Sequence, residues 1–185
     1  MALNVKEMIK KNKINSLYFI LKRVIYSFIL IYFVANSVHA EQTLDGMYYD
    51  WSVFTLNDIG EEQKCYVVSF PKKSIGNYKN KREPYVLITK FKDKNVEEIS
   101  IYSGFEYKIG SDIYISIDGK QYTLFTKDDI AWARNKEQDK EIITNLLNGY
   151  SLKIRAESSK SEYVVDEYSL KGLTRAYKRM KELCK

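Results

Sequence analysis

The chain has 185 residues, with 30 Lys and Arg against 24 Asp and Glu, a formal net charge of +6 and one histidine. Residues 1–40 hold Lys6, Lys10, Lys11, Lys13, Lys22 and Arg23 against Glu7, a net +5, so residues 41–185 carry 24 basic (30 − 6) and 23 acidic (24 − 1) residues. That near-neutral remainder excludes the basic excess as an argument for nucleic-acid binding. With its single histidine at position 39, the chain offers 41–185 no Ser-His-Asp, Cys-His or histidine-ligated metal chemistry.

The N-terminus reads as an export signal. A positive flank leads into the uncharged run "VIYSFILIYFVANSV", Val24 to Val38, which closes on Val38-His39-Ala40. Small residues then stand at −3 and −1 of a cut between Ala40 and Glu41, completing the three parts of a secretory signal. A bilayer core needs about 20 apolar residues, so a cleaved signal is expected over an uncleaved anchor, which is the alternative. Met8 offers a second start. The chain thus divides into a signal at 1–40 and one domain at 41–185, with no later segment fit to span a membrane. The expected location is the periplasm, the envelope or outside the cell.

Most of the domain predicts strands. "MYYDWSVFTL" alternates Tyr49, Trp51 and Val53 against Asp50 and Ser52, and "KCYVVSF", "EPYVLITKF" and "EEISIYSG" follow. In "SDIYISIDGKQYTLFT", Ile113, Ile115 and Ile117 alternate with Tyr114 and Ser116, and Asp118-Gly119 is the two-residue turn of a hairpin. "KEQDKEIITNLLNG" places Ile142, Ile143, Leu146 and Leu147 on one side of a helix that stops at Gly149. "YSLKIRA" and "EYVVDEYSL" are two more strands. The last helix is predicted from an N-cap near Ser169 to Leu183 or Cys184. The order predicts a mainly β fold: an antiparallel sandwich or partly open barrel with one internal and one C-terminal helix.

The cysteines are Cys65, in a strand, and Cys184, on the face Leu173, Tyr177, Met180, Cys184 of the last helix. Export favours pairing them, which would tie the tail to an early strand. Two separate buried thiols are the alternative. The acidic pairs Glu61-Glu62, Glu97-Glu98 and Asp128-Asp129 are poor general-acid/base dyads where they lie in strands, because neighbours there point to opposite faces. Asp128-Asp129, close to Trp132, is the pair nearest to a sugar cleft. The stretch "PKKSIGNYKNKREP" holds Lys72, Lys73, Lys79, Lys81 and Arg82 against Glu83. It is a candidate loop for anionic ligands, or else a solvated connection between strands.

"WSVF", "CYVVSFP", "REPYVLIT", "SGFEYKIGSDIYISIDGKQYTLFT", "AWA" and "DEYSLKGLTRAYKRMKELC" together resemble the invasion-associated locus B proteins of alphaproteobacteria over about residues 48–184. The most specific part is the ending, with Asp166, Tyr168-Ser169-Leu170, Gly172, Ala176 and Cys184. The resemblance implies an exported, β-rich envelope or periplasmic protein without established enzymatic activity, in a family named for a role in host-cell invasion. The chain departs from some members in lacking further cysteines, and Leu173 stands where phenylalanine is common. The expectation is a non-catalytic protein that binds an envelope or host component, with no metal, cofactor or nucleic acid. The alternatives are a carboxylate-dependent hydrolase of envelope glycan and a chaperone-like accessory of the envelope.

Overall fold

The computed structural model describes residues 21–23, 41–57, 63–92, 94 and 96–185. The apolar run 24–38, Ala40 of the cleavage site and the pair Glu61-Glu62 lie outside the described residues. The described residues from Glu41 to Lys185 form one compact unit. It opens with four strands, β1 (Glu41–Tyr48), β2 (Trp51–Asn57), β3 (Lys64–Ser69) and β4 (Lys73–Gly76). Next come β5 (Tyr85–Phe91), β6 (Glu97–Tyr102), β7 (Asp112–Ile117), β8 (Lys120–Lys127) and β9 (Ile130–Trp132). Helix α1 (Lys136–Asn148), β10 (Ser151–Glu157), β11 (Tyr163–Ser169) and helix α2 (Leu173–Leu183) complete it.

The described strands make one 11-stranded sheet in the order β1-β2-β3-β5-β6-β9-β8-β7-β10-β11-β4. Every pairing is antiparallel, and β1 and β4 are free edges, so the sheet is open. The predicted mainly β, antiparallel, partly open architecture is the one found.

Strands β3 and β4 follow each other in the chain yet lie on opposite arms of the sheet. The arms meet where the Trp51 indole donates to the Ser169 carbonyl at 3.0 Å and Asp50 N–H donates to the Lys171 carbonyl at 3.3 Å. The enclosed face carries alternate apolar residues of the strands: Val53, Val67, Ile88, Ile101, Ile115 and Ile154 are at most 1 % exposed. Each such side chain contributes about 1.5–3 kcal/mol on burial, enough in sum to hold an open sheet rolled around one core.

Both helices pack apolar stripes into that core. In α1 these are Ile142, Ile143 and Leu146, three of the four predicted, with Leu147 half-buried against the core, and the helix stops before Gly149. Its start is a reciprocal cap: Asn135 Oδ1 accepts from Gln138 N–H at 2.9 Å, and Gln138 Oε1 accepts from Arg134 N–H at 2.6 Å. α1 also buries Asp139, whose Oδ1 accepts the Ile99 N–H of β6 at 2.8 Å. The three-residue β9 pairs with β6 only from Ser100 to Tyr102, which leaves that N–H to the helix. Burial, working against this hydrogen bond, pushes the Asp139 carboxyl up to about 6.

Two expectations change. "MYYDWSVFTL" is two strands: Tyr49, at φ 58°, and Asp50 form the β1–β2 turn, so Tyr49 leaves the face of Trp51 and Val53. Ser169 does not cap the last helix. It ends β11, and its hydroxyl accepts from Lys171 N–H at 3.2 Å. α2 begins at Leu173 after Gly172, whose φ is 95° and where an added Cβ would lie 1.9 Å from the Tyr48 carbonyl oxygen. Only glycine fits that corner. On α2, Leu173, Ala176 and Met180 are buried, as is Cys184 just beyond its end, while Tyr177 is half-buried and donates to Glu97.

Candidate functional site

A groove of about 580 Å³ lies on the outer face of β8, β7, β10 and β11. Alternation creates it. Ile113, Ile115, Leu152, Ile154 and Val164 point into the core, so their neighbours Tyr114, Ser116, Lys153, Arg155, Tyr163 and Val165 point out. Register aligns them in two rows across the strands. One runs Ile75, Val165, Arg155, Tyr114, Thr123, and the other Lys73, Glu167, Lys153, Ser116, Gln121. Strands lie about 4.8 Å apart, so each row brings side chains from five segments of chain within reach of one ligand.

Tyr114 is 59 % exposed and Tyr163 47 %, a large amount of aromatic ring left to water on rigid strands. The acidic groups at the groove are already paired. Asp112 accepts from Arg134, Glu157 lies 3.2 Å from Lys108, and Glu167 lies 3.1 Å from Lys153. Arg155 is different. It is exposed, it lies between Tyr114 and Val165, and among the described residues its guanidinium has no hydrogen bond or ion pair.

The structure gives the basic stretch several partners rather than one focus. Lys72 pairs with Asp50, whose carboxyl is held below the usual carboxylate range chiefly by that contact. Lys73 is exposed on edge strand β4, and Lys79 is exposed in the following loop. Lys81 turns inward: its Nζ lies 2.6 and 2.7 Å from the two Asp166 oxygens, with the side chains 5 % and 1 % exposed. Ser74 also donates to Asp166. Burial outweighs the attraction of Asp166 and holds the Lys81 ammonium below the usual lysine range. Arg82 stays outside, 5.3 Å over the Tyr102 ring and 3.6 Å from Asp129.

The acidic pairs are placed as follows. Asp128, at φ 57°, and Asp129 form the β8–β9 turn, with Trp132 in β9 opposite Phe125. They line a second hollow with Glu106, Lys108 and Ile109. Glu97 is engaged by Tyr177 and by Lys181 at 3.5 Å. Cys65 and Cys184 are joined across 119 residues, with both side chains fully buried. Among the described residues no group of three or more His, Cys, Asp or Glu side chains could hold a metal. No described helix is long and apolar enough to cross a membrane.

The family description "Invasion associated locus B (IalB) protein" matches residues 51–181. The chain belongs to the IalB family. No curated protein and no solved structure matches it. The IalB match runs from the first residue of β2 into the last turn of α2 and takes in every residue of the groove. It stops short of Cys184, so the closing bridge of this IalB protein is read from the structure.

The groove was not anticipated from the sequence. Its signal is present in "DIYISI" and "SLKIRAE", where Tyr114, Lys153 and Arg155 alternate with buried residues. Which strands lie side by side is a tertiary fact, and only that brings Tyr114 next to Arg155.

Proposed function

We propose that this IalB protein is exported and acts by binding, without chemistry of its own, a component of the cell envelope or of a host surface. The observation that carries this reading is the groove: the exposed Tyr114 ring stands beside the unpaired Arg155 on neighbouring interior strands, and a second exposed ring, Tyr163, lines the same groove. Side chains on paired strands are held in place before a ligand arrives, which lowers the entropic cost of binding. The charged, apolar and cleavable leader supports export, and the buried Cys65–Cys184 bridge suits an oxidising compartment.

The test is to express the full chain in its own cells, fractionate them, and determine the mature N-terminus and thiol state. The exported protein is then challenged with envelope extracts, alongside a Tyr114→Ala/Arg155→Ala variant. The expected result is an N-terminus at Glu41, no alkylatable thiol, and capture of envelope material that the variant loses. A cytosolic product with free thiols, or hydrolysis of envelope glycan by the purified protein, would overturn the proposal.

A further inference from the structure

We infer that the groove binds an acidic sugar chain, with the Arg155 guanidinium taking a ring carboxylate and Tyr114 and Tyr163 packing against pyranose faces. The inference rests on the groove being the binding site and adds the class of ligand.

The charge pattern comes first. Each acid at the groove is neutralised by a named cation: Asp112 by Arg134, Glu157 by Lys108 and Glu167 by Lys153. Arg155, at the middle of one row, is left uncompensated within the described residues, as is Lys73 at the β4 end of the other. A planar guanidinium matches a carboxylate with two parallel hydrogen bonds, and the ligand it fits is therefore an anion.

The backbone then separates a sugar from a peptide. An extended peptide binds a sheet by adding to a free edge, where N–H and C=O groups are open. The groove is not at an edge, because β8, β7, β10 and β11 are each flanked by a neighbour on both sides. Such a face offers side chains only. Those without a side-chain bond to another described residue are the phenols of Tyr114 and Tyr163, the Ser116 hydroxyl and the Gln121 amide. Hydroxyls and an amide suit a polyhydroxylated ligand, and ring faces suit the C–H faces of a pyranose. An apolar chain would leave these polar groups unpaired.

The experiment uses the full chain and four probes at about 0.15 M salt, where loose charge attraction is screened. They are a galacturonic-acid trimer, the same trimer with its carboxyls reduced to alcohols, a neutral dextran oligomer and a glutamate-rich peptide. Calorimetry is run on wild type, Arg155→Ala, Arg155→Lys, Tyr114→Ala and, as a control away from the groove, Lys178→Ala, with thermal unfolding as the check on folding. The expected result is saturable binding of the uronate trimer, weakened at least about tenfold by Arg155→Ala and less by Arg155→Lys, and unchanged by Lys178→Ala. The reduced trimer should lose most of the affinity. Equal binding by Arg155→Ala, no preference for the uronate over its reduced form, a preference for the acidic peptide, or no binding of the uronate each overturns the inference. If envelope extract is still captured through Tyr114 and Arg155 while no acidic sugar binds, only the ligand class fails. Capture that ignores those substitutions removes the groove as the site.

Discussion

Breaking the Cys65–Cys184 bridge is the perturbation with the largest expected effect on this domain. The bridge closes a loop of 119 residues. In the chain-entropy relation, the loss of freedom that such a closure imposes on the unfolded chain corresponds to about 4.9 kcal/mol at 25 °C, near the top of the observed range of about 2–5 kcal/mol. For a domain of about 150 residues each kcal/mol moves Tm by roughly 2–4 °C, so reduction should lower Tm by about 10–20 °C. The bridge also holds the end of α2 to β3, so the last turn of that helix should fray first. Urea unfolding of the full chain with and without reductant measures the loss, with thiols counted by alkylation at each step. A Cys65→Ala/Cys184→Ala variant should lie close to the reduced protein, with a further loss of about 1 kcal/mol for the space vacated by two buried sulfurs. If the reduced, alkylatable protein unfolds within about 1 kcal/mol of the oxidised one, the bridge does not hold the fold in the way argued here.

The buried ion pair gives a second expectation. Asp166→Ala leaves the Lys81 ammonium buried without its partner and should cost about 3–5 kcal/mol, while a joint Asp166→Leu/Lys81→Met replacement should recover most of that loss. Urea titration of the single and double variants decides between them, and a double variant no more stable than Asp166→Ala would refute the account. For Asp139 the sign follows from a folded-state value raised to about 6 from 3.8. Between those values the folded protein holds the proton more tightly than the unfolded chain. Its stabilising contribution is therefore full below about pH 3.8 and is lost as pH rises towards 6, by an amount of order 3 kcal/mol. Asp139→Asn keeps an acceptor for the Ile99 N–H and should flatten that part of the stability–pH curve. Unfolding midpoints from pH 4 to 7 provide the check, and an unchanged slope would count against the assignment.

Local patterns in this chain determined those elements whose cause is local. The β7–β8 hairpin follows from alternating isoleucines and Asp118-Gly119, whose φ values of 46° and 94° are those the turn requires. Helix α1 follows from its apolar spacing and its glycine stop, and the mainly β class from the sum of the alternating runs. The family could be read from the same segments. Strands β1, β4 and β9 carried too little apolar signal: β1 is mostly exposed, β4 is "KSIG" inside a basic stretch, and β9 has three residues. They are strands because a neighbour offers a hydrogen-bonding edge, and no short window of sequence contains that information.

Tertiary structure alone decided the fate of the charges and the place of the groove. Lys81 sits in a run of cations that reads as solvated, yet Asp166, 85 residues away, draws it into the interior. Arg155 looks like any outward strand residue until register sets Tyr114 beside it and leaves it unpaired among paired acids. Periodicity tells which side of a strand is wet. Sheet order, which depends on how the whole chain minimises its exposed apolar surface, tells which wet side chains become neighbours.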